Sequence, residues 1–200
     1  MMGAPRRRTA TLLVAAIACT TDTASVANAS AGGAADAIMA ATDPGPTAIA
    51  GEYRYSGGDK QREQLIEAIE AVVADMNFIA RPIARKRLRE SNLPSAELHL
   101  VFSDDEITIA RPGRPTVSAP LDGSMVVWKS PDGDEFEVRH RLVGDHRLVQ
   151  EFVGDGNRSE NIFALDPDGS RLTVQTTITA DRLPATLRFS MSYRRKTPRS

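Results

Sequence analysis

LVQEFVGDGNRSENIFALDPDGSRLTVQTTIT, residues 148–179, sets two turn signals, Asp155-Gly156 and Asp168-Gly169, between runs that alternate apolar and polar residues. Leu172, Val174 and Ile178 fall at a period of two, which is the spacing of a strand with one face buried. Asp-Gly pairs are suited to the positive φ of tight hairpin turns, so this stretch predicts strand, hairpin, strand, hairpin, strand. The same period recurs upstream in Leu98/Leu100/Phe102, Ile107/Ile109 and Phe136/Val138. Further turn signals stand at Asp104-Asp105, Pro112-Gly113, Asp122-Gly123, Asp132-Gly133, Gly144-Asp145 and near Asp181. Their spacing of roughly 8–12 residues is that of a meander, and eight turns link nine strands.

A tenth strand precedes these. GEYRYS opens at Gly51, and Gly57-Gly58-Asp59 then breaks the chain and starts a helix with Leu65, Ile69, Val72 and Met76 on one face. Pro82 fits the first turn of a second helix, IARKRLRESN, which Asn92 and Pro94 end. A ten-stranded meander leaves two adhesive edges unless it curls and closes. The predicted fold is therefore a mainly β domain: a closed up-and-down antiparallel β-barrel of about ten strands with a helix-turn-helix lid between strands 1 and 2.

The N-terminus predicts export. Arg6, Arg7 and Arg8 precede an apolar run from Leu12 to Ala18, too short to span a bilayer, so residues 1–29 read as a signal peptide. Two cleavage routes fit: after Ala29, behind Ala27-Asn28-Ala29, or before Cys19, where Ala16-Ile17-Ala18-Cys19 resembles a bacterial lipoprotein box that would lipidate Cys19. Either route predicts a periplasmic or secreted protein, with a lipid anchor in the second case. Residues 30–50, rich in Ala, Gly and Pro, read as a flexible linker, and 51–196 as the barrel domain. Cys19 is the sole cysteine, so no disulfide supports the mature domain. Cutting after Ala29 removes three arginines and one aspartate and leaves 22 basic against 25 acidic residues, a balance that gives no argument for nucleic acid.

A strand, a helix-turn-helix and nine meandering strands over about residues 50–195 resemble the fatty-acid-binding-protein branch of the calycin (lipocalin-like) superfamily. The likeness is most visible in LVQ (148–150), GDG (154–156), LDPDGSRL (165–172) and SYRR (192–195). Gly51-Glu52-Tyr53 is similar to the Gly-x-Trp that opens such barrels, whose aromatic packs under a basic residue of the last strand, here Arg194 or Arg195. The resemblance implies a ligand-carrying interior. It also shows a departure: the family's carboxylate clamp uses Arg-x-Tyr on the last strand and a basic residue on the eighth. Tyr193 matches the Tyr, but Met191 takes the Arg place and Phe163 falls near the other position.

The hairpin EFEVRHRLVGDHRLVQEFV fixes its own register, because only one alignment brings apolar residues together across the pair. A loop of Gly144 to His146 sets Leu142 opposite Leu148, Val138 opposite Phe152, Arg139 opposite Glu151 on the outer face, and His140 opposite Gln150 on the inner face. His140 and Gln150 then either satisfy each other or await a ligand head group, since an unpaired buried polar group costs roughly 1–3 kcal/mol. Tyr193 shares the inward parity of Leu187, Phe189 and Met191, while Arg188 has the opposite parity. His140, Gln150, Tyr193, Phe163, Met191 and Phe152 are thus the expected ligand contacts. Arg81, Arg85 and Arg89, with Lys86, form a basic stripe at four-residue spacing, which predicts a portal helix contacting an anionic membrane surface. Asp166-x-Asp168-Gly169 lacks the later acidic residues of a calcium loop and reads as a turn, so neither metal nor cofactor is expected.

No catalytic signature occurs in the chain. The expected function is an exported, monomeric, non-enzymatic carrier for an apolar or uncharged amphipathic molecule. A cell-envelope structural or interaction protein with a side-chain-filled barrel is the second reading, and an enzyme using His140 the remote third.

Overall fold

The computed structural model describes residues 48–130 and 133–197. The export signal, Cys19 and most of the linker lie outside the described residues. In chain order the elements are β1 (Gly51–Tyr55), α1 (Gly58–Val73), α2 (Ala80–Asn92), β2 (Glu97–Phe102), β3 (Glu106–Ala110), β4 (Val117–Pro120), β5 (Val126–Lys129), β6 (Glu135–Leu142), β7 (Arg147–Gly154), β8 (Asn157–Leu165), β9 (Arg171–Ala180) and β10 (Leu187–Arg195).

The ten strands form one antiparallel sheet, ordered β4-β3-β2-β1-β10-β9-β8-β7-β6-β5. Apart from β1 with β10, every ladder joins strands that are consecutive in the chain. Pairing of Tyr53 with Arg195 and Tyr55 with Tyr193 curls the meander round on itself. The result is a nearly closed barrel with two helices between its first two strands, the arrangement that the strand and turn pattern predicts. The open seam lies between β4 and β5, which share no ladder. Side chains bridge it instead: Trp128 Nε1–H donates to the Thr116 carbonyl at 3.3 Å, and His140 on β6 reaches the Ile107 carbonyl on β3 at 2.8 Å.

Period-two alternation is visible in the burial of β6 and β9. In β9, Leu172, Val174, Thr176 and Ile178 are buried and their neighbours are not. Inward residues from most strands join one core with the buried faces of the helices, and Phe136, Val138, Phe152, Val117 and Ala119 form a smaller cluster near the seam. Because apolar burial contributes about 25 cal/mol per Å², this continuous lining is the chief support of a domain with no disulfide.

The helices cover one end. α1 packs on β10 and buries Leu65, Ile69, Val72 and Val73, while Gln61 exchanges hydrogen bonds with Ser192, donating to Oγ at 2.9 Å and accepting from its N–H at 2.8 Å. α2 buries Ala84 and Leu88. It starts earlier than the sequence predicts because Asn77 Oδ1 accepts the N–H groups of Ile79 and Ala80, at 3.1 and 2.8 Å.

At the strand junction β1/β10 lies the aromatic–cation pair that the calycin resemblance implies. Arg195, not Arg194, stacks 5.0 Å from the centroid of the Tyr53 ring, donates to the Tyr53 hydroxyl at 2.7 Å, and donates to the Ala50 and Gly169 carbonyls. Gly51 is required here: its φ is +143°, and a Cβ would stand 3.0 Å from Arg195 Nη1. Ile49, which the sequence reading puts in the linker, is fully buried, and its carbonyl accepts from the Tyr53 hydroxyl at 2.7 Å. The packed core therefore includes a residue ahead of β1.

Candidate functional site

The inner face carries a polar relay that crosses five strands. Thr176 Oγ1 donates to Asn161 Oδ1 at 2.7 Å, Asn161 Nδ2 to Gln150 Oε1 at 3.1 Å, and Gln150 Nε2 lies 3.0 Å from His140 Nε2. His140 Nδ1 ends the chain on the Ile107 carbonyl. A carbonyl only accepts, so Nδ1 carries the proton and Nε2 accepts from Gln150. Burial pushes the His140 pKa down to about 4, against a smaller upward pull from the Ile107 hydrogen bond, so the ring is neutral at pH 7.

The relay runs out at a cavity. Asn161 and Thr176 line it, whereas His140 and Gln150 are each fully buried and do not. The cavity has a volume of about 80 Å³ and sits between the end of α2, the β3–β4 turn and the barrel wall. Leu98, Phe152, Val174, Met191 and Trp128 give it apolar walls, and Tyr193, Arg111 and Arg114 supply polar ones. Arg114 also fastens the lid, donating to the Ser91 carbonyl at 2.9 Å and the Leu93 carbonyl at 2.7 Å.

The structure divides the expected ligand contacts into two groups. Tyr193, Met191 and Phe152 line the cavity, which their inward parity in the sequence anticipates. His140 and Gln150 stand opposite each other in the register read from the hairpin, but each satisfies the other and neither faces the cavity. Phe163 is fully buried in the main core and contacts no open space. These three pack inside the barrel and do not line the cavity.

Three polar lining residues, Asn161, Thr176 and Arg111, escaped the sequence reading. Asn161 and Thr176 share the inward parity of Phe163 and Leu172, so two polar residues on apolar-facing positions were the available signal. Arg111 continues the inward parity of Ile107 and Ile109 by one step, but adjoins Pro112-Gly113 and reads as part of the turn. Arg111 brings a cationic side chain to the cavity wall.

The basic stripe of α2 also needs correction. Arg85 chelates Glu70 of α1 at 2.8 and 2.9 Å, Arg89 donates to the same carboxylate at 2.8 Å, and Arg81 caps α1 by donating to the Met76 carbonyl at 2.8 Å. The Arg85 hydrogen bond is the main reason that Glu70 is held below the usual carboxylate pKa. Spacing aligns these arginines on one face, but that face meets α1. Lys86 is exposed, 3.9 Å from Glu90. Ile83 is exposed with Phe78 and Ile79. Two of the four cations thus share one carboxylate, which lowers the net charge of the stripe.

Among the described residues no cluster of His, Cys, Asp or Glu is placed to hold a metal ion, and no helix is long and apolar enough to cross a membrane. Asp168 accepts the Ser170 N–H at 3.0 Å, as the turn reading requires. No protein-family model and no curated protein matches the sequence. Solved structures similar to this chain include a Schistosoma mansoni fatty acid binding protein in complex with arachidonic acid, at 16% identity over 75% of this chain and 97% of that one, with a TM-score of 0.43. A zebrafish ileal bile acid-binding protein complexed with cholic acid is 11% identical over 75% and 100% of the two chains, with a TM-score of 0.45. Secretory abundant heat soluble protein 4 from Ramazzottius varieornatus is 14% identical over 76% and 96%, with a TM-score of 0.47.

Proposed function

We propose that this chain is an exported, non-enzymatic binding protein that takes a compact amphipathic molecule into the barrel mouth beneath the end of α2. The observation that carries this reading is the composition of the cavity, where apolar Leu98, Val174, Met191 and Trp128 face the polar Arg111, Tyr193 and Asn161 across a small space. Apolar walls with a few convergent polar groups are the general form of a small-molecule site. Export rests on the Arg6–Arg8 and Leu12–Ala18 pattern of the N-terminus. A catalytic role for His140 lacks support, because both ring nitrogens are engaged and neither faces the cavity.

The cavity volume favours a second reading. Sites for drug-sized ligands occupy roughly 300–1,000 Å³, several times the space here, so a long lipid enters only if Met191 swings aside or the β4/β5 seam widens. A side-chain-filled barrel with a structural or interaction role follows if neither movement occurs. Organic extraction of the protein purified from its native host, followed by mass spectrometry, decides between them. A stoichiometric copurifying amphiphile supports the binding protein, and clean protein from several preparations supports the filled barrel.

A further inference from the structure

The relay that ends at the cavity runs in one direction, and its far end sets that direction. The Ile107 carbonyl can only accept, so His140 Nδ1 donates to it at 2.8 Å, and the ring, kept neutral by burial, leaves Nε2 bare. Gln150 must then turn its Nε2 to the ring, at 3.0 Å, and its Oε1 to Asn161 Nδ2, at 3.1 Å. That leaves Asn161 Oδ1 towards Thr176, whose hydroxyl donates to it at 2.7 Å. Each amide has one donor end and one acceptor end, so no member can turn over alone without setting like against like.

The opposite direction is closed to a neutral ring. It would need Nε2 to carry the proton and give it to Gln150 Oε1. The bare Nδ1 would then face the Ile107 carbonyl, two acceptors at 2.8 Å, on a side chain that is fully buried. Such a contact leaves both groups unsatisfied away from water.

Direction matters where the relay meets open space. Asn161 and Thr176 both line the cavity. Asn161 keeps one spare N–H whichever way the relay runs, so what it offers does not change. Thr176 differs. Its one side-chain hydrogen-bond donor is spent on Asn161, and among the described residues nothing donates to its Oγ1. Its hydroxyl is therefore held as an acceptor, although a threonine free to rotate can serve as either.

We propose that His140, Gln150 and Asn161 are positioning residues that hold Thr176 as a hydrogen-bond acceptor, so that the cavity selects an uncharged amphiphile bringing an O–H or N–H donor. This rests on reading the cavity as a ligand site. It adds a rule for the head group, imposed from a seam residue that does not itself line the cavity.

The isomers 1-hexanol and methyl pentyl ether differ in that only the alcohol has a donor. In calorimetric titration of the protein at pH 7, the alcohol should bind about 2- to 10-fold more tightly, the net contribution of one neutral hydrogen bond. Thr176→Val should abolish the preference and Thr176→Ser should keep it. Gln150→Met, which cuts the relay and frees Thr176 to turn, should erase most of it. Gln150→Glu should keep it, because a carboxyl oxygen still accepts from Asn161 whether the proton sits on Glu or on His140. Nitrogen NMR of the His140 ring in the unsubstituted protein at pH 7 gives a readout that no variant's folding can obscure, and it should place the proton on Nδ1. A proton on Nε2, equal binding of the two isomers, or an undiminished preference in a folded Gln150→Met variant would each overturn the proposal and leave the cavity reading standing. If neither isomer binds, both fall and the filled barrel takes their place.

Discussion

His140 and Gln150 face each other across the β6–β7 ladder with their Nε2 atoms 3.0 Å apart, and His140 continues across the open seam to the Ile107 carbonyl. The pair therefore ties β7 through β6 to β3, on the side of the barrel that has no backbone ladder to close it. Its strength depends on a neutral imidazole. With a folded-state pKa of about 4 against an ordinary value of 6.5, His140 takes up its proton at lower pH than the unfolded chain does. Stability should be full above pH 6.5 and fall as pH drops from 6.5 towards 4, by about 3 kcal/mol in all. Urea denaturation between pH 7 and 4 checks this. His140→Gln should flatten the slope in that window, and an unchanged slope would remove His140 as its source.

Arg195 and Tyr53 give a second prediction. Arg195→Lys keeps the charge but not the fork that reaches the Ala50 and Gly169 carbonyls and the Tyr53 hydroxyl together. A loss of about 2–3 kcal/mol in equilibrium unfolding is expected, since buried acceptors are left without donors. Tyr53→Phe should cost about 1 kcal/mol. A Lys variant as stable as the parent would show that the fork is dispensable.

Phe163 distinguishes core from ligand contact. It is fully buried and pairs with Leu148 and Val174 on either side, and does not itself line the cavity. Phe163→Ala should lower stability by about 3–5 kcal/mol. Phe163→Leu, a milder change, should leave ligand affinity, read by Trp128 emission, within about twofold, since core swaps that keep most of the volume are tolerated best. A large affinity loss in a folded Leu variant would return Phe163 to the binding site.

The helix pair yields a prediction opposite to that of a free basic stripe. Changing Arg85 and Arg89 to Glu sets three carboxylates together around Glu70, so α1 and α2 should loosen. Hydrogen exchange in residues 58–92 should quicken in that double variant, and Glu70→Gln, which removes half-exposed pairs, should cost less than about 1 kcal/mol. Unaltered exchange in the charge-reversed protein would mean that the pairs contribute nothing to lid docking.

The barrel was legible because its signals are local. Asp-Gly turns and period-two alternation specify hairpins one at a time, and the β6–β7 register followed from matching apolar residues on one short hairpin. Which inward polar residues are mutually satisfied depends on distant strands, and so could not be read there. His140 finds Ile107 thirty-three positions away across the seam. Arg111 shows a different limit: parity continues past the last ladder residue, but a Pro-Gly pair beside it suggests a turn and hides an inward cation. The α2 stripe failed because helical spacing fixes which residues share a face without fixing what that face meets, and Glu70 meets it.

Trp128, the sole tryptophan of the chain, stands in the wall of the cavity and reports on it directly. Its emission should be followed as primary alcohols of increasing chain length, from butanol to decanol, are added to the mature domain, with Val174→Phe, which fills the same space, as the blocked control. A ligand site beneath the end of α2 predicts a saturable change in the parent, strongest for chains short enough to lie in the mouth, and its loss in a folded Val174→Phe variant. No saturable change across the series, or the same change in the blocked variant, would contradict it.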